Sequence, residues 1–413
     1  MAPQPPASLW RHPDFLKLWA AQTVSAFGSQ FTALAIPVVA ALLLGATPAQ
    51  MGLLTAVTTG PYLLFALAGV WVDRWPRRRV LIAADVGRAA VLLAVPALAL
   101  ADRLAMVHLY AVGFCASLFT VFFDTADQAY LPALVSRQRL VEANSRLETT
   151  RSLARLVGPG AAGAVVQVLG APLAVLTNVG SFLVSAVLLG LIRGKESPPD
   201  PTERKPLWTE LRRGLEFVLR NPYLRAIAPC TGSFNLVASA AEALLVLFAT
   251  RELGLSPAAL GAAFSVANVG ALAGALAASR VAGAVGLGRA IVGGSALSGL
   301  WLVPLALATP STAFPMVALA GALAGLGGAV YNINQVSLRQ SITPLPLQGR
   351  VNGTMRFLVW GTMPAGGLLG GLLGQAVGIR PALTLLATLQ ALTFLWVAAS
   401  PVAGLRAVPS AEA

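Results

Sequence analysis

Glu242 stands in the stretch NLVASAAEALLVLF, nine residues from the nearest charge in the chain. An ionisable group at membrane depth costs about 2.5–3.5 kcal/mol or more and reads as functional by default. The chemistry open to it is binding a proton or a cationic substrate; the competing reading is an acid merely hydrated near the outer interface. Asp124 and Asp127 share one helix face at i, i+3 spacing, and two acids at a helix C-terminus demand cationic partners. Arg88, Arg151 and Arg155 are expected to supply them, as a structural or gating charge cluster rather than a proton carrier. Asp85 and Arg88, also i, i+3, read as an intrahelical pair. Polar side chains in apolar runs, among them Gln22, Ser25, Gln30, Asn178, Asn235, Asn268 and Asn334, either line a cavity or bond one helix to the next. No nucleophile–base set, P-loop or zinc spacing occurs, and His12 and His108 have no metal-ligand company. That pattern argues against an enzyme, an ATP-driven pump, a metal site or a bound cofactor.

The elements that hold these residues follow from composition. Of 413 residues, 56% are hydrophobic and only 11% charged, against roughly 25% charged in an ordinary soluble domain. That is too little charge to wet a globule of this size, so lipid is the solvent for most of the chain. Between Leu18 and Val72 there is no Asp, Glu, Lys or Arg. A spanning helix needs about 20 apolar residues, so longer apolar runs fold back at their Gly and Pro breaks.

Twelve spans result, near 16–44, 51–72, 80–101, 105–128, 152–169, 172–192, 224–250, 257–279, 290–308, 313–337, 355–376 and 381–400. The N-terminal stretch lacks the pattern of a cleaved signal peptide, and the first span is expected to act as an uncleaved insertion signal. A polar segment, 193–222, divides the spans six and six. Its second half places Leu207, Leu211, Leu215 and Val218 at helical spacing beside Arg212, Arg213 and Arg220, as in an amphipathic helix on a membrane surface. The domain plan is therefore a bundle over 1–192, a linker over 193–222 and a second bundle over 223–413.

Charge placement orients the chain. With the N-terminus inside, the outer loops hold only Arg103, Arg251 and Arg380, and the other 26 of 29 Lys and Arg lie on or near the cytoplasmic side. The net charge of +13 is thus topology under the positive-inside rule and not a footprint of nucleic acid. Both termini are expected in the cytoplasm. The two cysteines, Cys115 and Cys230, sit in apolar runs and read as packing residues. The halves also echo one another: Asn144 precedes Gly170 by 26 residues, and Asn352 precedes Gly378 by the same 26. Six spans plus six is how many secondary transporters are built.

The stretch GVWVDRWPRRR, with Gly69, Asp73, Arg74, Arg77 and Arg78, follows the second span. An acid at a helix C-terminus persists only where a positive group meets it, and Gly69 would let a neighbouring helix approach closely. The pattern is a charge latch on a face that opens. It resembles the loop motif between spans two and three of the major facilitator superfamily, with Trp71 and Pro76 departing from the usual residues. The resemblance implies that Asp73 contacts the start of the eleventh span and stabilises an outward-open state. The fifth span is similar to that superfamily's antiporter motif at Ser145, Ala154, Gly158, Pro159, Ala162 and Gly163. In the family this motif marks exporters; read bottom-up, it is a small-residue packing seam.

Over residues 9–400 the chain resembles the drug and siderophore exporter branch. The resemblance implies an all-α membrane protein of twelve transmembrane helices in two pseudo-symmetric six-helix bundles. It would be a secondary transporter in a bacterial inner membrane, exporting small amphipathic or apolar compounds and coupled to protons. The expected partners are a small-molecule substrate, protons and the bilayer, with the protein a monomer. Import of a small polar solute and a non-transporting receptor or scaffold are the alternatives. Neither an acid near Ser29 nor a basic residue in the fourth span is present, unlike in many proton-coupled relatives.

Overall fold

The structure is a computed structural model describing residues 9–72, 74–194, 207–344 and 347–407. Among these residues every regular element is helical. In chain order they are α1 (Pro13–Leu43), α2 (Pro48–Thr59), α3 (Phe65–Val72), α4 (Arg77–Leu100), α5 (Met106–Leu134), α6 (Leu140–Leu169) and α7 (Ala171–Gly190). Then follow α8 (Leu207–Arg220), α9 (Leu224–Glu252), α10 (Pro257–Val285), α11 (Leu287–Leu307), α12 (Pro310–Ile342), α13 (Gln348–Val377) and α14 (Ile379–Ala398). Eleven of them are long and apolar enough to cross a membrane. The second span is the twelfth, and it is broken: α2 and α3 are joined by the 3-10 turn Gly60–Leu64. Pro61 supplies no backbone N–H there and interrupts the α-helical ladder. Two helices begin earlier than apolarity suggests, α6 at Leu140 and α13 at Gln348, because their polar first turns stay helical outside the apolar window.

The chain divides into two compact units. One is Met1–Ile36 with Leu64–Thr202, and the other is Pro37–Leu63 with Glu203–Ala413. In the second unit α13 is threaded between α9 and α2, and its GGLLGG sequence explains how. A Cβ at Gly366 or Gly370 would collide with the carbonyl oxygens of Leu236 and Ala240 on α9. On the adjacent face, a Cβ at Gly371 would lie 2.6 Å from the Cα of Gly52 on α2. Lipid provides no hydrophobic drive between helices, so association rests on backbones that come this close.

Repeated local devices mark the two halves. Gly170 and Gly378 turn the chain at φ +81° and +90°, each with ψ near the extended value, a region essentially restricted to glycine. The first helices of both halves finish in a π-helical turn, Val39–Leu43 and Phe248–Glu252.

Helix ends take their bonding partners from distant segments. At the end of α7 the Arg78 guanidinium donates to the carbonyls of Leu189, at 2.8 Å, and Gly190, while Lys17 Nζ donates to Leu191 at 2.8 Å. In the second unit Arg251 donates to the Ala41 carbonyl at 2.6 Å, and Arg380 to that of Ala308 at 2.7 Å. Two of the three basic residues expected outside are thus consumed in satisfying terminal carbonyls. The amphipathic helix α8 lies on α13 through Gly214, where a Cβ would stand 2.8 Å from the Arg350 carbonyl, and through buried Val218. Leu215 and Leu219 face outward beside Arg212 and Arg213.

Gly370→Ala is expected to destabilise the protein by about 1–3 kcal/mol, the cost of overpacking. Gly293→Ala, where a Cβ meets open space, is expected to cost nothing. Thermal melts of the two purified variants against wild type check this pair.

Candidate functional site

The candidate site is a cavity of about 420 Å³ inside the first unit, walled by α1, α4, α5 and α6. From α1 come Gln22, Ser25, Ser29 and Gln30, one helical face at spacings of three and four. Arg88 is the contribution of α4, and α5 supplies Thr120, Phe123, Asp124, Asp127 and Gln128. Arg151, Ala154 and Arg155 complete the wall from α6. Arg88 lies eleven residues beyond the start of α4, about 16 Å along it at 1.5 Å per residue. The two acids of α5 thus share one cavity with three arginines from α4 and α6.

Charge gathered between apolar helices must be matched, and the pairings are present. Asp127, buried at 7% exposure, accepts from Arg151 at 2.9 Å on one oxygen and from Gln22 on the other. Arg151 also donates to Gln22 Oε1 at 2.8 Å, closing a three-residue network across α1, α5 and α6. The expected pairing of Asp127 with Arg151 is thus found. Arg155, one turn further on α6, pairs instead with Glu148. Arg88 pairs with Asp85, which is fully buried. Its guanidinium lies between two rings, 4.3 Å from the centroid of Phe123 and 4.1 Å from that of Phe182. Each such stack contributes about 0.5–2 kcal/mol when desolvated. The intrahelical reading of Asp85 and Arg88 holds, but sequence missed that the arginine also faces the cavity. The available signal was an arginine one turn inside Asp85 in a span that is apolar beyond it.

Small residues bring these walls together. Ala154, Gly158, Pro159, Ala162 and Gly163 are all buried along one side of α6. A Cβ at Gly158 would run into the Gln30 side chain, so α6 closes on α1 there. Gly28 makes the matching approach to α7, where a Cβ would strike Ser181.

This fold has counterparts among known proteins. Residues 5–412 match the family model of transmembrane secretion effectors. The chain belongs to that family, within the major facilitator superfamily. It is 28% identical over 389 residues to the multidrug efflux pump Tap of Mycolicibacterium fortuitum, covering 90% of this chain and 91% of Tap. It is 28% identical over 364 residues to the enterobactin exporter EntS of Escherichia coli O1:K1, covering 87% of this chain and 85% of EntS. A bacterial homologue of the iron transporter ferroportin, in an inward-facing state, superposes with a TM-score of 0.76 at 18% identity, covering 95% and 99% of the two chains. The nucleoside transporter NupG gives 0.74 at 13% identity, covering 94% and 99%. At such identities the structural likeness concerns the fold.

The remaining expected residues of this major facilitator protein are dispersed. Asn178 donates to Thr32 Oγ1 at 2.7 Å, Asn235 to the Val359 carbonyl at 3.0 Å and Asn334 to the Ala278 carbonyl of α10 at 3.4 Å as well as to Val330 on its own helix. Those three amides hold helices and do not line the cavity. Glu242, on α9, is exposed, and it has no hydrogen bond or ion pair among the described residues. Of the loop motif, Asp73 lies outside the described residues. Arg74 is exposed and Arg77 half-buried, while Arg78 is committed to the end of α7. At Gly69 a Cβ would meet no described atom within 4 Å, so the close helix approach expected there is not seen. No group of three or more metal-binding side chains occurs among the described residues.

Arg151→Gln is expected to destabilise the first unit by about 1–3 kcal/mol. A fully buried broken pair costs about 3–5 kcal/mol, discounted here because the Arg151 side chain is 41% exposed. Asp127→Asn combined with Arg151→Gln is expected to recover most of that loss, since no unmatched charge is left. Melting temperatures of the wild type, both single variants and the double variant provide the cycle.

Proposed function

We propose that this chain is a monomeric secondary transporter that exports small amphipathic or apolar compounds, drug-like or siderophore-like, across the bacterial inner membrane. Both termini are cytoplasmic on this reading. The observation that carries it is the polar, charge-matched cavity within a bundle of membrane helices. Its volume, about 420 Å³, falls in the range that holds a drug-sized ligand. The efflux and export named for Tap and EntS point the same way. So does the small-residue face of α6, which follows the exporter motif at Gly158, Pro159 and Gly163.

The cycle is one of alternating access driven by protons. Glu242 is the coupling group: it is the carboxylate at membrane depth that no described cation neutralises, and a proton is what makes it tolerable there. Asp127 serves instead as the fixed counter-charge of Arg151. Asp73, with Arg74 and Arg77, is the latch of the cytoplasmic face.

Inverted membrane vesicles energised to an inside-acid gradient test the reading, with lipophilic fluorescent cations and macrolides as probes. Wild-type protein is expected to accumulate probe only while the gradient lasts. Glu242→Gln is expected to lower gradient-driven accumulation at least tenfold, the scale of a lost transport coupling of about 1.4 kcal/mol. Accumulation indifferent to the gradient would refute proton coupling, and accumulation indifferent to Glu242 would move the coupling group elsewhere.

A further inference from the structure

The cavity in the first unit has more hydrogen-bond donors than acceptors to offer a ligand. Its wall carries three guanidinium groups, Arg88, Arg151 and Arg155, and two carboxylates, Asp124 and Asp127. Both Asp127 oxygens are already taken, by Gln22 and by Arg151. Asp85, the partner of Arg88, is fully buried and does not line the cavity, so no ligand reaches it. A guanidinium has five N–H donors. Arg88 spends one terminal nitrogen on Asp85, and its Nε, buried, has no partner. The residue is 4% exposed, and burying such a donor unpaired is costly. The two flanking rings hold the guanidinium plane fixed, which sets a direction for whatever acceptor meets it.

We propose that Arg88 is the acid-recognising group of this cavity and that the compound it selects carries an ionised carboxylate or phenolate beside an apolar body. The oxygen anion takes the Arg88 donors that reach the cavity wall, the buried Nε excepted, and the apolar part lies against Phe123 and Ala26 of the same wall. This names a substrate class for the export reading and rests on it. Asp124 faces the same space and disfavours a second acidic group on the ligand. The class is therefore a monoacid, not a polyanion.

Binding, measured apart from transport, tests the assignment. Protein in nanodiscs of neutral phosphatidylcholine would be titrated by calorimetry with 2-naphthoate, 2-naphthamide and 2-naphthylmethylammonium at neutral pH. The naphthoate is expected to bind about tenfold or more tighter than the amide, the strength of a hydrogen bond to a charged group. Arg88→Gln alone strands Asp85, so the variant used is Asp85→Asn with Arg88→Gln. It is expected to bring naphthoate down to the affinity of the amide and leave the amide unchanged. Arg212→Gln, on α8 outside the cavity and paired with Glu216, is expected to change naphthoate affinity less than threefold, a minor change on the scale of a surface pair. Equal binding of naphthoate and amide, preference for the ammonium probe, no binding of any probe, or an unaffected double variant would each overturn the proposal. Vesicle export of cations that persists despite such a result would leave the transport reading standing. Carboxylate preference without vesicle export would retain the Arg88 site and remove the transport reading.

Discussion

Charge inside hydrocarbon must be neutralised where it stands, and the first unit is organised around that requirement. Five ionised side chains reach one cavity from three helices. Arg151 and Asp127 complement one another across two helices, while Arg88 and Arg155 have acids on their own helices. Arg151 fixes the register of α6 against α5 through Asp127, and Gln22 ties α1 into the same network. Arg88 is fixed twice, by Asp85 on its own helix and by aromatic faces from α5 and α7. These contacts cost more to break than they contribute net, because a buried ion left alone is worse than no ion. They therefore specify which helices meet and at what height more than they add to stability.

The second unit meets the same solvent with a different device. Around α13 the helices are drawn together by the absence of side chains, glycine against backbone on two faces. Polar contacts there are few and go to carbonyls, as with Ser239 to Met363 at 2.8 Å and Thr362 to Gly232 at 3.0 Å. Such contacts average below about 1 kcal/mol in membrane proteins, so shape rather than charge sets this interface. Glu242 interrupts the pattern as a carboxylate without a protein counter-charge among the described residues.

How much of this was legible in the chain depends on the range over which each signal acts. Apolar run length and the sidedness of Lys and Arg are local sums, so the spans and the family resemblance were readable. The partnership of Asp127 with Arg151 was readable as a demand for a cation but not as a choice among three. Arg155 differs from Arg151 by a single turn, and it pairs with Glu148, two turns back on its own helix. Phe182 is 94 residues from Arg88, and no periodicity links the two. The amides of Asn178, Asn235 and Asn334 look alike in sequence whether they face a cavity or a neighbour's backbone, and the structure gives each a packing partner. The break in the second span had a local sign, Pro61 beside Gly60, that hydropathy alone passes over.

The glycine contact between α2 and α13 also sets an order of assembly. Gly52 leaves the ribosome about 315 residues before its partner Gly367, a delay of roughly 15–60 s at ordinary elongation rates. Through that interval the glycine face of α2 has only lipid or a transient neighbour against it. The clamp on α7 has no such wait, since Lys17 and Arg78 are both made before the carbonyls they cap. The first unit is thus able to close during synthesis, while α2, the first part of the second span, is completed only by nearly the last helix to be inserted.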